Sequence, residues 1–328
     1  MSESIKNAVI EQSQSKVFVV VVNYNQDEYT LDCINSLLES DYHNFQVCLI
    51  DNGSNDDVVK KLTQKLPASD KLIFHSLPEN LGYVGGVNFG LKEGANLSAD
   101  YFLIMNNDTL IAKDSISALV DCAKRHDNLA IVSGKVYNYG EKDSLQYVGQ
   151  AVDPNNGLNQ VSLIKGKREK DVGQFEEEME MGMLDDIFWL FPRSLYAENG
   201  GYSEYFFLYG EQNDYAFRAL RSGYKLIYTP KASLWHKGGV STCAGDKASP
   251  RIEYWTTMAT LKLAVLHLGE AEAKKFCNYW PKRKMLKTLY LIFKGQLTWQ
   301  HFKSIYTAYR NFKHWNVIRY RDNGHNPF

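Results

Sequence analysis

The amino-acid sequence predicts an α/β protein with a mostly parallel central sheet flanked by helices. Short apolar runs alternate with helical patterns over residues 17–135, and repeated β-α units of this kind imply parallel strands joined by right-handed crossovers. Polar residues and glycines follow several of these runs directly, where the predicted strands should reach one edge of the sheet. The chain of 328 residues can bury a large core, in one domain or in a domain with an appendage.

The predicted elements follow one another in a regular order. The first strand, Val17–Val22, precedes a helical pattern over residues 29–39, with Ile34 and the leucines on one face. The second strand, Gln46–Asp51, ends in Asn and Asp residues that can cap the next helix. The further strands of this half are Leu72–Ser76, Tyr101–Met105 and Leu129–Ser133, with helices between them.

The run Tyr101–Met105 ends abruptly in Asn106, Asn107 and Asp108. Such a run is typical of a strand buried on both faces, and ligands of open α/β sheets bind just beyond the carboxyl ends of strands. A carboxylate among amide and water oxygens suits Mg²⁺ or Mn²⁺, which often complete their coordination with substrate phosphates. An ordinary polar turn is the alternative interpretation.

Polar residues follow the other strands as well, and together they predict a pocket for a large polar ligand. Glycines allow the backbone to approach such a ligand, and helix N-termini favour phosphate oxygens. Neither a G-x-G-x-x-G turn after the first strand nor a Walker A loop is present. Asn25 and Asn52 could instead be simple turn or cap residues. The candidates at these strand ends are Asn23, Asn25, Asp51, Asn52, Gly82 and Asn88.

The ordered set of motifs resembles glycosyltransferase family 2, with the GT-A fold and bacterial rhamnosyltransferase-like relatives. The motifs are NYN, DNGS, NLGYVGGVNFG, MNNDT and FLYGEQNDYAFRALRSGYKLIYTPKASLWHKGG, and the similarity runs from about residue 17 to 240. The resemblance implies a nucleotide-sugar donor, either dTDP-rhamnose or a UDP-hexose. It also implies a divalent cation, Mn²⁺ or Mg²⁺, and an inverting single displacement in the synthesis of O-antigen, capsule or another surface polysaccharide.

The resemblance also assigns roles on the donor side. It places Asn23 and Asn25 near the nucleotide and Asp51 at the base or ribose. It places Asp108 at the metal, and His236 as a metal ligand or pyrophosphate contact. Lys237 would close over the diphosphate. The remaining donor-site candidates are Asn52, Gly82, Asn88, Asn106 and Asn107.

The second half is expected to hold the acceptor. A strand over Asp186–Phe191 precedes the Glu211-Gln212-Asn213-Asp214 start of a helix. A sugar hydroxyl needs a positioned base, usually Asp or Glu, and the family carries E-D-x-D or E-E-x-D here. Gln212 departs from that pattern because an amide cannot accept the proton. We therefore predict Glu211 as base and Asp214 as an orienting or acceptor-binding residue, although helix capping alone could explain both.

The C-terminal region differs in charge from the rest of the chain. Residues 251–328 contain 14 Lys and Arg against 4 Asp and Glu, interleaved with aromatics in helical patterns. Basic aromatic helices can lie on anionic membrane surfaces, while packing on the catalytic domain or a homodimer interface are alternatives. Nucleic-acid binding is not expected because no recognisable module accompanies these residues. We predict a polar tail (1–16), a catalytic domain (17–245, with halves 17–135 and 136–245) and this helical region (246–328).

Cysteine usage and hydropathy favour a cytoplasmic protein, and docking through the basic C-terminal region would make it peripheral at the cytoplasmic face of the inner membrane. The cysteines are widely spaced, without a zinc or disulfide pattern, and no segment has the apolar length of a signal or a membrane span. Two functions remain open on sequence grounds. One is a metal-dependent glycosyltransferase acting on a glycan acceptor, with a lipid-linked acceptor favoured. The other is a non-catalytic sugar-nucleotide-binding or scaffold protein.

Overall fold

The computed structural model describes residues 14–153, 156–166, 168–238 and 249–328. It confirms the predicted α/β class, with helices on both faces of a mostly parallel sheet. The strands are β1 Val17–Asn23, β2 Phe45–Asn52, β3 Leu72–Leu77, β4 Tyr101–Asn106, β5 Thr109–Ile111, β6 Ala130–Asn138, β7 Ser144–Tyr147, β8 Gln150–Asp153, β9 Asn156–Ser162, β10 Glu169–Lys170, β11 Met179–Glu180, β12 Phe188–Pro192 and β13 Lys225–His236. The helices are α1 Asp27–Leu38, α2 Asp56–Lys65, α3 Gly82–Asn96, α4 Ser115–Arg125, α5 Arg193–Asn199, α6 Glu211–Arg221, α7 Pro250–His267, α8 Glu270–Phe293 and α9 Trp299–Ile318.

The sheet contains a parallel half and a mixed half. Strands β3, β2, β1 and β4 are parallel neighbours in that order. Strand β12 then lies antiparallel between β4 and β6, and β13 runs parallel to β6. Strand β1 is buried along its whole length, as its unbroken apolar run predicts for a central strand covered on both faces. The antiparallel insertion of β12 is not evident from the alternation of strands and helices.

Helix α3 lies unusually close to the sheet because glycines form its inner face. A β-carbon at Gly90 or Gly94 would come within 2.5 Å of a side-chain carbon of Val20 or Phe18, both on β1. Close helix-to-strand contact of this kind requires residues without a side chain. These glycines therefore allow the C-terminal half of α3 to pack directly on β1.

The predicted helical extension consists of α7, α8 and α9, and it packs on the catalytic domain. Phe207 stacks on Trp255 of α7, with ring centroids 5.6 Å apart. The buried Lys262 ammonium donates to the backbone oxygen of Tyr205 and to Asp322, each at 2.6 Å. The packing alternative of the sequence analysis thus accounts for part of this region. The predicted boundary at 245/246 and Cys243 lie outside the described residues.

The helices found within the described ranges include none with both the length and the apolar character of a membrane span. The four cysteines described there, Cys33, Cys48, Cys122 and Cys277, are buried free thiols.

Candidate functional site

Residues at the carboxyl ends of β1, β2 and β4 form one buried hydrogen-bonded network. The side-chain amide of Asn23 donates to Asp51 Oδ1 at 2.7 Å, and the Ser54 backbone N–H donates to Asp51 Oδ2 at 3.1 Å. The Asn107 amide donates to Asn23 Oδ1 at 3.2 Å and to the Thr30 hydroxyl at 2.8 Å. The structure therefore brings Asn23, Asp51 and Asn107 together, as their strand positions predict. Their hydrogen bonds to one another shape this edge of the sheet.

Asn25 and Asn52 serve the neighbouring loops. Asn25 has a left-handed backbone (φ 57°), and its Oδ1 accepts from the Asn55 backbone at 2.9 Å. The Asn52 amide donates to the carbonyl of Gly82 at 2.9 Å. Gly82 also has a positive φ, and a β-carbon there would lie 2.6 Å from Phe207. Turn formation explains these residues in the structure, and direct ligand contact by them stays a prediction.

Asn88 connects α3 to the turn after α5. Its amide donates to the Tyr202 carbonyl at 2.9 Å, and its Oδ1 accepts from the Tyr202 N–H at 2.7 Å. Both ends of the side chain are therefore engaged in positioning this turn. Its predicted place in the donor pocket stays a prediction.

Asp108 and His236 form a buried pair at the end of β4. His236 Nε2 lies 3.2 Å from Asp108 Oδ1, and the side chains are 11% and 7% exposed. Strand β13 supplies the histidine because it pairs with β5, directly after Asp108. His236 Nδ1 lies 2.6 Å from Gln146 Oε1, so Nδ1 carries the proton and donates it. Asn106 Nδ2 approaches Nε2 at 3.5 Å.

This pair fits a divalent cation. With Nδ1 directed to Gln146, His236 points Nε2 towards Asp108 Oδ1, and the two atoms face one another as two ligands of one cation would. Metal-ligating histidines characteristically donate their other N–H to an oxygen acceptor, as His236 does to Gln146. Imidazole and carboxylate together suit Mn²⁺ or Mg²⁺ with substrate oxygens completing the coordination.

Another cluster of metal-type side chains fits a cation poorly. In the described ranges, Cys122, His126 and Glu178 form the group of three such residues with donor atoms within 4.8 Å of one another. Glu178 already pairs with Arg125, and burial raises the pKa of Cys122 to about 12. The thiolate that a metal needs is thus strongly disfavoured.

Lys237 adds an exposed cation at the rim of this edge. Its backbone N–H donates to the Asp108 carbonyl at 3.0 Å, and its ammonium lies 3.5 Å from the centre of the Tyr29 ring. The ammonium also contacts the Tyr29 hydroxyl. Lys237 is therefore tethered beside Asp108 while its charge reaches solvent.

A cluster of buried carboxyl groups faces the same edge. Asp186 Oδ2 accepts a 2.7 Å hydrogen bond from the Tyr202 hydroxyl. Glu211, at the start of α6, is buried, and its Oε2 has no hydrogen-bond partner among the described residues. Burial and the nearby charge of Asp185 raise the pKa of Asp186 to about 7. Burial and the charge of Asp186 hold the pKa of Glu211 well above its ordinary value.

Asp185 and Asp186 are site residues that the sequence pattern does not predict. The pattern places Asp186 in the strand that follows, but β12 begins only at Phe188. The Asn106 N–H donates to the Ile187 carbonyl at 2.9 Å, so β12 enters the sheet beside the end of β4. The signal was available in the sequence: two acids border an apolar run, as Asp108 does. Their position could not be inferred without the antiparallel pairing.

Asp214 joins three segments behind the buried carboxyls. Its oxygens accept from Arg218 Nε and His267 Nε2, each at 2.8 Å. Arg218 also donates to the backbone oxygens of Asn199 and Gly201. Burial opposes ionisation of Asp214, but the His267 hydrogen bond and the Arg218 charge hold its pKa below the ordinary value. Asp214 thus links α6 to α7 and to the turn after α5.

The Asp108–His236 pair thus lies just beyond the carboxyl end of β4, where ligands of open α/β sheets bind. Residues 18–200, more than half of the chain, match the profile of glycosyl transferase family 2. The chain belongs to this family and is a glycosyltransferase. The matched range ends before Glu211, His236 and Lys237, so their roles rest on geometry and resemblance.

The chain is similar to two curated proteins and to one solved structure. The chain is 25% identical over 248 residues to N-acetylglucosaminyl-diphospho-decaprenol L-rhamnosyltransferase of Mycobacterium tuberculosis, covering 68% of this chain and 76% of the relative. It is 23% identical over 212 residues to poly-beta-1,6-N-acetyl-D-glucosamine synthase of Staphylococcus aureus, covering 65% and 47%. The crystal structure of S. aureus TarS aligns with a TM-score of 0.49 at 17% identity, covering 81% of this chain and 43% of that one.

Proposed function

We propose that this glycosyltransferase moves a sugar from dTDP-rhamnose or a UDP-hexose to a glycan acceptor, with inversion, in bacterial surface polysaccharide synthesis. The observation that supports it most is the convergence of the Asp108–His236 pair and the Asp186–Glu211 cluster at one edge of the sheet. The Asp108–His236 pair is suited to a cation that binds the donor diphosphate. The Asp186–Glu211 cluster is suited to take the proton from the hydroxyl of the sugar acceptor. The name of the mycobacterial relative supports rhamnose and a lipid-linked acceptor.

The donor side would be organised around the cation. Asp108 and His236 would hold Mn²⁺ or Mg²⁺, which as a Lewis acid stabilises the charge that develops on the leaving nucleoside diphosphate. Lys237, tethered beside Asp108, would add a positive charge at the diphosphate. The Asn23–Asp51 network would shape the surface against the nucleotide.

Glu211 would accept the proton of the attacking hydroxyl. A carboxylate with a raised pKa is a stronger base, and efficient bases have pKa values near the working pH. Because Asp186 and Glu211 influence each other, the pair favours one proton shared over two negative charges. Asp186 then takes part in setting the proton affinity of Glu211, a contribution that the amide of Gln212 cannot make.

Helix α8 would hold the enzyme at the cytoplasmic face of an anionic membrane. Its solvent face interleaves cations and apolar side chains, and Phe293 is 91% exposed. Membrane-surface cations contribute about 1 kcal/mol each near anionic lipid. Lys284 is engaged inside the fold with Glu253 and Thr257. The exposed face comprises Tyr279, Lys282, Arg283, Leu286, Lys287, Tyr290, Phe293 and Lys294.

A donor panel tests the proposed function. We expect one nucleotide sugar to raise the melting temperature in the presence of Mn²⁺, since a ligand at 100 times its Kd stabilises by about 2.7 kcal/mol. The same donor should be consumed when a lipid-linked glycan is added. Stabilisation by no nucleotide sugar, with no transfer or hydrolysis of any, would contradict the proposal.

A further inference from the structure

A separate cavity lies between the β8–β9 hairpin, α6 and α7. Its volume is about 300 Å³, at the lower end of the sizes that hold small ligands. Neither the Asp108–His236 pair nor the buried carboxyl groups of Asp186 and Glu211 line this cavity. The lining residues are Gln150, Leu158, Gln160, Asn213, Thr260 and Leu263.

The lining is polar but uncharged. Gln150, Gln160 and Asn213 line the cavity, and within the described part of the chain no hydrogen bond engages the carboxamide of any of the three. A carboxamide offers two donors and an acceptor, which is the complement of neighbouring sugar hydroxyls. Two leucines provide apolar surface for the face of a pyranose ring. An anion or a cation would find no opposite charge here.

The cavity borders both segments that carry the buried carboxyls. Asn213 lies two residues after Glu211 in the first turn of α6. The backbone N–H of Gln150 donates to the Met183 carbonyl at 3.0 Å, three residues before Asp186. Residues two apart on a helix point to different sides, so the cavity adjoins the reaction centre without being part of it.

We propose that this cavity is an acceptor subsite that binds a neutral sugar unit next to the unit that is glycosylated. The inference rests on the proposed function. Occupation of the cavity would hold an oligosaccharide against α6 and direct its terminal hydroxyl towards Glu211. Sugar binding in the cavity would therefore contribute to acceptor length and sequence preference, separately from donor recognition.

An array of immobilised neutral oligosaccharides tests this subsite with the full-length protein. We expect the wild type to bind a subset of glycans with at least two sugar units. Gln160→Leu and Asn213→Leu should each weaken that binding roughly 2- to 10-fold, the range for one lost hydrogen bond, and the double variant should weaken it further. The exposed amide of Gln64 on α2 provides the matched control, since Gln64→Leu should bind as the wild type does.

Two results would overturn the subsite. One is no binding of any neutral oligosaccharide by the wild type, and the other is unchanged binding by a double variant with wild-type melting temperature. Nucleotide-sugar turnover measured on the same proteins separates this inference from the proposed function. Glycan binding that depends on Gln160 and Asn213 without any turnover would keep the subsite and refute the transferase mechanism.

Discussion

Replacing Asp186 by Asn should stabilise the protein while impairing catalysis. Burial of Asp186 next to Asp185 raises its pKa to about 7, whereas the carboxyl of an unfolded chain has a pKa near 3.9. A carboxyl group whose pKa is raised on folding contributes fully to the free energy of unfolding below its unfolded pKa. That contribution is lost as the pH rises through the folded pKa. Asn is neutral at every pH and keeps an oxygen for the Tyr202 hydroxyl.

The size of the effect follows from the pKa difference. The folded pKa of Asp186, about 7, lies two pH units above pH 5. Each of these units lowers the free energy of unfolding of the wild type by at most about 1.4 kcal/mol. Because Glu211 shares the site, we expect the Asn variant to gain about 1–3 kcal/mol more stability at pH 8 than at pH 5. Urea unfolding at both pH values measures this difference, with the exposed Asp57→Asn on α2 as control. An Asp186→Asn gain that is equal at both pH values, or a loss that grows with pH, would refute the reasoning.

Three further predictions concern the base, the Asp214 link and α8. Glu211→Gln should lower kcat roughly 10²- to 10⁴-fold, as loss of a general base does, with little change in donor affinity; wild-type kcat would remove Glu211 from the chemistry. Asp214→Asn should lower the free energy of unfolding in urea by about 3 kcal/mol at pH 7, because it disrupts a buried pair. This loss should shrink as the pH falls below about 4, where an ordinary carboxyl group becomes protonated. A loss that does not depend on pH would contradict the lowered pKa of Asp214. Charge reversal on α8 should abolish binding to phosphatidylserine vesicles. Binding of the wild type should weaken with salt, because exposed charges are screened over about 8 Å at physiological ionic strength. Salt-insensitive binding would favour packing on the catalytic domain or a dimer interface. The α8 substitutions are Lys282→Glu, Arg283→Glu and Lys287→Glu.

The parallel half of the fold could be predicted from the sequence because its signals are local. An apolar run such as Val17–Val22 followed by an amphipathic helix identifies a β-α unit without further information. Polar residues at the carboxyl ends of neighbouring parallel strands must then meet at one edge, and the structure brings Asn23, Asp51 and Asn107 together there.

The remainder of the site depends on long-range pairing. Asp186 comes to the edge only because β12 inserts antiparallel beside β4, and no local pattern specifies that neighbour. The link from Asp214 to His267 likewise joins residues from the catalytic domain and the helical extension. The sequence predicts an orienting or acceptor-binding role for Asp214, and the structure shows both its oxygens held by Arg218 and His267.

Calorimetric titration of dTDP and UDP into the wild type and the Asp108→Ala variant, with and without Mn²⁺, tests most directly whether Asp108 holds a cation at the donor diphosphate. We expect Mn²⁺ to tighten the binding of one nucleoside diphosphate to the wild type at least about tenfold, which corresponds to about 1.4 kcal/mol. The variant should remain folded and show no difference between the two conditions. Equal affinity of the wild type with and without Mn²⁺, or an undiminished Mn²⁺ effect in the variant, would contradict a cation held by Asp108 at the donor diphosphate.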